Sequence, residues 1–299
     1  MIRPLSAIVG ATSPDAIVNI YRAFGFDVLG ERAIAAPASR ALYGLDGPTR
    51  EIVMAPPGAA RGWLHIVDTP NAGPHPGPYD NGPHAIDVYS RNVDDSARLA
   101  NAAGSPSGPV ARYQMGPFDV REVKTVGPDH LVSVFIEVQR RRPSVLDSDP
   151  ARLHSEVHSA VWIVDRIDDV LPFWKEQAGL TLLLDATARE TAVGRFMGLP
   201  REDTPVRLAV LADDTSAPIR FEFVEFPEET GGAFATWPLR GGLHAVGFGA
   251  EHLEAAIAAM PGASFGPIVE RPVGLSGRPA RAVAGVGPQG TRFEVWETA

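Results

Sequence analysis

The sequence predicts an α+β protein of four βαβββ modules paired into two domains, and three observations predict it. First, blocks of the first half recur in the second at an offset of 155 to 160 residues. ALYGLDGPTREIVMAPPGAARGWLHIVDTP (41 to 70) reads like FMGLPREDTPVRLAVLADDTSAPIRFEFVEFP (196 to 227), and GPHAIDVYSRNVDDSARLANAAG (82 to 104) like GLHAVGFGAEHLEAAIAAMPG (242 to 262). TVGPDHLVSVFIEV (125 to 138) likewise matches GVGPQGTRFEVWE (285 to 297). Second, each half doubles internally, and such periods are the signature of repeated structural units. Third, the 299 residues are 44% apolar and 21% charged, an ordinary globular composition long enough for about two domains.

The elements follow from local pattern. LSAIVGA (5 to 11) is a β-type run, and Ser13-Pro14-Asp15 starts a helix whose amphipathic stretch closes at Gly25. The runs up to Asp68 complete module one, and the turn-rich NAGPHPGPYDNGP (71 to 83), with His75 and Tyr79, connects to module two. HAIDVYS, then NVDDSARLANAAG, gives a strand and a helix closed by Gly104, and β-rich runs continue to Val138. The proline-containing RRRPSVLDSDPAR is the natural linker, so the expected division is 1–140, a linker over 141–153, and 154–299. Module three opens with HSAVWIVD and closes with RFEFVEF; module four opens with HAVGFGA and closes with RFEVWE.

Composition narrows the function. The formal charge is −9, with basic residues scattered rather than clustered, which disfavours nucleic acid as a partner. With no cysteine there is neither a disulfide nor a cysteine nucleophile. Asp15, Pro4 and Pro14 interrupt the stretch where a signal peptide needs apolar residues, and no apolar run reaches membrane-spanning length, so a cytoplasmic protein is expected.

Four modules of this plan resemble the vicinal oxygen chelate superfamily, which includes glyoxalase I, methylmalonyl-CoA epimerase, extradiol dioxygenases and the bleomycin-resistance proteins. The resemblance covers nearly the whole chain. It implies two glyoxalase/dioxygenase-like domains, each a curved sheet around a cavity, and ligands on the first and last strands of the modules. His158 and His244 open the first strands of modules three and four, and Glu222 and Glu294 lie in the closing strands. Strict alternation puts His158 with Ala160 and Trp162, and His244 with Val246 and Phe248, on apolar faces. Two carboxylates converging in a low-dielectric cavity repel, and a divalent cation relieves that. His158, His244, Glu294 and Glu222 are therefore the expected ligands of one divalent metal ion, with Fe, Mn, Ni, Co and Zn all compatible with such N/O donors.

The first half looks incomplete as a metal site. Leu5 or Ser6 matches His158, His65 matches Glu222, His84 matches His244, and Val134 falls opposite Glu294. Glu137 can replace Val134 only with a three-residue insertion, so the first half is expected to be a structural partner without metal rather than a second site of His65, His84 and Glu137.

A Lewis-acidic metal can bind a small oxygenated substrate through neighbouring oxygens and stabilise an enolate, with Glu222 or Glu294 as proton acceptor. A metal-dependent lyase or isomerase is the leading expectation. Trp162, Phe248 and Trp296 could wall the substrate, although core packing explains them equally well, and Arg220 and Arg292 could clamp its carboxylate. For the arginines, the preferred alternative is a strand-end residue that reaches solvent or neutralises the neighbouring glutamate. An Fe(II) or Mn(II) extradiol dioxygenase is second, weakened because module three closes with no histidine and no tyrosine follows Tyr113. A metal-free ligand-binding or drug-sequestering protein is third. A homodimer is compatible with superfamily habit.

Overall fold

The computed structural model describes residues 2–213, 219–273 and 278–298. Module one is β1 (Arg3–Ala11), α1 (Pro14–Ala23), β2 (Asp27–Ile34), α2 (Ala36–Tyr43), β3 (Thr49–Ala55) and β4 (Trp63–Asp68). Module two is β5 (Gly82–Ser90), α3 (Val93–Ala102), β6 (Ala111–Met115), β7 (Phe118–Val126) and β8 (Val132–Val138). Module three is β9 (His154–Ile163), α4 (Ile167–Pro172), β10 (Thr181–Ala188), α5 (Thr191–Met197), β11 (Val206–Ala212) and β12 (Arg220–Glu225). Module four is β13 (Gly242–Ala250), α6 (Leu253–Ala259), β14 (Ser264–Phe265), β15 (Val269–Val273), β16 (Arg278–Val286) and β17 (Arg292–Glu297). The α+β class and the four modules expected from the repeats are both present.

Local chemistry explains the elements. Pro14 sits in the first turn of α1, where a missing N–H costs nothing, and the Asn92 side chain accepts from the backbone N–H groups of Asp94 and Asp95 to start α3. The GPDH and GPQG repeats make the same turn: Asp129 and Gln289, 160 residues apart, both hold a left-handed backbone, with φ of 55° and 51°. Asp129 also ties the modules together, because its carboxylate accepts from the backbone N–H and hydroxyl of Thr12, at 2.8 and 2.7 Å.

Modules pair across the halves of the chain. One sheet runs β14-β16-β17-β13-β1-β4-β3-β2, with β15 also on β16, and so joins modules one and four. The other runs β10-β11-β12-β9-β5-β8-β7-β6 and joins modules two and three. The seams are antiparallel pairs of first strands, β1 with β13 and β5 with β9. This corrects the expected division into sheets within 1–140 and within 154–299. A first strand has two edges, and after its own closing strand takes one in parallel, the other is free for a module distant in sequence.

One apolar core lies between the two sheets and takes in the four first helices of the modules together with the facing strand residues. Trp174, in a π-type turn following α4, packs edge-on against Phe221 of one sheet at 4.5 Å and stacks on Phe248 of the other at 5.8 Å. The opposite, concave face of each sheet forms a cup. No described helix is long and apolar enough to cross a membrane.

Candidate functional site

Every first strand carries a bulge at its seam. The pairing skips Leu5 between Pro4 and Ser6, and His244 between Leu243 and Ala245. It skips His84 between Pro83 and Ala85, and His158 between Val157 and Ser159. A β-bulge of this kind breaks strict alternation and re-aims a side chain. His158 thereby leaves the face of Ala160 and Trp162, which lie in the helix-side core, and stacks instead on Tyr89 at 3.9 Å. His244 likewise meets Tyr43 at 6.1 Å, among the residues of its cup, while Val246 and Phe248 stay in the core. Trp162 and Phe248 are therefore core residues, not the substrate wall expected from alternation.

The cup of modules one and four is closed upon itself. Arg271 from β15 is completely buried. Its Nη1 lies 3.0 Å from Glu294 Oε2 and also donates to the Tyr43 hydroxyl, while Nη2 donates to Glu51 Oε1. His65 Nδ1 is 2.9 Å from Glu51 Oε1, and Trp296 Nε1 donates to Glu294 Oε2 at 2.8 Å. Burial alone would raise the Glu51 pKa, but Arg271 and His65 outweigh it and hold it well below the usual carboxylate range. Arg292 is turned away, with Nε donating to Thr236 Oγ1 at 2.9 Å and its guanidinium over the Trp237 ring at 4.7 Å. Burial, and then Arg292, push His244 down to about 3, so it is neutral.

The cup of modules two and three is open. It holds one chamber of about 70 Å³ reached by His84, Asp87 and Lys124. A second chamber of about 190 Å³ is reached by Tyr89, Arg140 and Arg220. Tyr113, Met115, Glu122, Ile136, Leu208 and Glu222 line both. Helix α5 roofs the smaller chamber with Val193, Phe196 and Met197, and Lys124 Nζ donates to the Met197 carbonyl at 2.7 Å. Glu222 accepts from Ser159 Oγ and lies 3.3 Å from the Arg220 guanidinium, whose Nη2 donates to His158 Nδ1 at 2.7 Å.

Carboxyl groups crowd this cup. Burial, with Glu222 adding to it, raises Glu122 to about 8, against a hydrogen bond at 2.5 Å from the Tyr113 hydroxyl that pulls the other way. Asp87 is raised well above its ordinary value by burial and then by Glu222 and Glu122. Burial, then Lys124, lowers His84 to about 4. Burial, then Arg220, lowers His158 well below its ordinary value. Sequence patterning missed Asp87, Glu122, Glu51 and Arg271. For Asp87 and Glu51 the signal is a charged residue in a largely apolar run, HAIDVYS and TREIVMA; Glu122 and Arg271 lie in the mixed runs FDVREVKTV and VERPV, which carry none.

The expected four-ligand centre does not form. His158 and Glu222 belong to one sheet and His244 and Glu294 to the other, because the modules pair across the halves. Among the described residues, no three histidine, aspartate or glutamate side chains are arranged to hold a metal ion. Both glutamates are engaged by arginines, so neither residue set fits a divalent cation. His65, His84 and Glu137 do not gather either: His65 faces Glu51, His84 is in the other sheet's cup, and Glu137 binds Arg121 at 2.8 Å. Tyr89 and Tyr113 enter the same cup as His158 and Glu222, so the lack of a tyrosine beyond residue 113 has no bearing there.

No family model matches the chain, and no curated protein matches it in sequence. Solved structures do. Glyoxalase I from Zea mays is 13% identical, with a TM-score of 0.65 over 99% of this chain and 92% of that one. A point mutant of the same maize enzyme gives 14% and 0.66 over the same shares. A putative dioxygenase from Bacillus subtilis is 11% identical, with a TM-score of 0.62 over 99% of this chain and 84% of that one. With its four modules and two curved sheets, this chain has the fold of the vicinal oxygen chelate superfamily.

Proposed function

We propose that the protein is an enzyme of proton transfer acting on a small oxygenated organic acid in the cup of modules two and three. One observation carries the reading: Glu122 is buried in the wall shared by the two chambers, beside Glu222 and 2.5 Å from the Tyr113 hydroxyl, and burial raises it to about 8, so that it can give and retake a proton near neutrality. Arg220, which lines the same chamber, supplies a guanidinium for two neighbouring oxygens of a substrate. When Glu122 removes a proton from the carbon beside a carbonyl, the C–H electron pair moves to the carbonyl oxygen. Arg220 stabilises the charge that develops, and return of the proton from Glu122 to carbon completes an isomerisation or epimerisation. Met115, Ile136 and Leu208 hold the apolar body of the substrate and keep water from the enolate.

The likeness to glyoxalase I supports an enzyme on this fold, at an identity that speaks for the fold alone. A second reading, sequestration of an apolar anion without turnover, is favoured by the many aliphatic side chains of the two chambers. Incubation with 2-oxo, 3-oxo and 2-hydroxy acids in D₂O, followed by proton NMR, separates the two. Deuterium entering at the carbon beside the carbonyl, and lost in Glu122→Gln, is the expected result. Binding without exchange across the panel establishes sequestration. Exchange equal in wild type and Glu122→Gln overturns the assignment of Glu122.

A further inference from the structure

In each sheet the closing-strand glutamate of the second half meets a guanidinium rather than open space. Glu294 meets Arg271 at 3.0 Å, and Glu222 meets Arg220 at 3.3 Å. We infer that Arg271 and Arg220 occupy the cation positions of their two cups, so that neither imidazole and carboxylate set takes up a divalent metal ion. This inference rests on residue geometry alone and does not depend on proton transfer at Glu122.

In the first cup the donors are consumed. Arg271 reaches Tyr43, Glu51 and Glu294 with its terminal nitrogens, and its Nε donates to the Pro272 carbonyl at 3.1 Å. Arg32 stands 3.8 Å from Glu51, so two buried carboxylates face two guanidiniums. A divalent ion entering here would have to expel a completely buried arginine or add two uncompensated charges to the interior. The bulge position of β1, which elsewhere in the fold carries a histidine, is Leu5 and offers no lone pair.

In the second cup the obstacle is tautomeric. A guanidinium can only donate, so His158 Nδ1, 2.7 Å from Arg220 Nη2, must accept; the Ser159 hydroxyl, 2.8 Å from the same nitrogen, gives its proton to Glu222 and leaves that acceptor to Arg220. Neutral His158 then carries its proton on Nε2, which has no hydrogen-bond partner in the cup, and no ring lone pair is left for a metal. Coordination through His158 would first require Arg220 to leave both the imidazole and Glu222.

The experiment uses untagged full-length protein, stripped with chelator, incubated with Zn²⁺, Ni²⁺, Co²⁺ or Mn²⁺, or anaerobically with Fe²⁺, and passed through gel filtration before elemental analysis. Wild type is expected to retain no stoichiometric metal, with a thermal midpoint unchanged by the ions or by EDTA. Arg271→Ala leaves Glu51 and Glu294 without the guanidinium that pairs them, and this variant is expected to lose thermal stability that added divalent ions partly restore. Wild type retaining one equivalent overturns the inference. So does a folded Arg271→Ala whose thermal midpoint no divalent ion raises. The wild-type measurement decides by itself if the variant does not fold.

Discussion

Arg271 Nη1 lies 3.0 Å from Glu294 Oε2 in the closed interior of the first cup, and the same guanidinium also donates to Glu51 and Tyr43. These groups come from four strands and helices of two modules distant in sequence, so the network holds modules one and four together. Removing one partner strands charge in a low-dielectric interior, which costs about 3–5 kcal/mol. Arg271→Met is expected to lose stability on that scale in urea unfolding. Adding Glu51→Gln and Glu294→Gln to it should recover part of the loss. A single variant within about 1 kcal/mol of wild type would show that the network is weakly coupled.

Gly247 tests the seam by sterics. A Cβ built there lies 2.5 Å from the Ser6 hydroxyl and 2.5 Å from the Trp296 ring. Trp296 donates to Glu294, so an added methyl should push the indole off its partner as well as strain β1 against β13. Gly247→Ala is expected to destabilise by about 1–3 kcal/mol, the usual cost of overpacking. It should also change tryptophan fluorescence. An unshifted spectrum with unchanged stability would mean that the seam can relax.

The pH dependence of stability has two opposing arms. Glu122 is raised in the folded state, so its contribution is full below the ordinary carboxyl pKa and is lost as pH rises towards about 8. His84 and His154 are lowered to about 4, and His244 to about 3, each by burial first, so the unfolded chain takes up protons below about pH 6.5 that the folded chain refuses. Stability should therefore peak near pH 6.5 and fall on both sides. Glu122→Gln should reduce the decline between the ordinary carboxyl range and about pH 8 by up to about 1.4 kcal/mol per pH unit for one proton, leaving the share of Asp87, which burial also raises. Urea midpoints across pH 4 to 9 measure both arms, and an alkaline slope unchanged by Glu122→Gln would remove this role from Glu122.

The fold is legible because repetition is a global property of the sequence. The matched blocks place β5 and β13, the doubling within each half places β1 and β9, and the shared turn at Asp129 and Gln289 agrees with that register. Pairing is not legible, since a first strand can join either neighbour and nothing local records the choice. The site suffers from this twice. The pattern draws His158 and His244 to the cups but merges them into one centre, when they belong to two. Strict alternation then carries Trp162 and Phe248 along with them, because a bulge leaves no mark in a single sequence. Arg220 does neutralise Glu222 from two residues away, whereas Arg292 turns to Thr236 and leaves Glu294 to Arg271. Arg271 lies in VERPV, where nothing distinguishes a buried arginine from an exposed one.

The proposed chemistry depends on one carboxyl group that exchanges its proton near neutrality inside the cup of modules two and three. Carbon-13 NMR of protein labelled at glutamate Cδ, titrated from pH 4 to 10, observes that group directly. A resonance with a midpoint of about 8 is expected, absent in Glu122→Gln and moved upward in Tyr113→Phe, because the Tyr113 hydrogen bond lowers it. If every glutamate resonance instead titrates in the ordinary range below about pH 6, Glu122 is an unperturbed carboxylate and the acid–base assignment of this cup is contradicted.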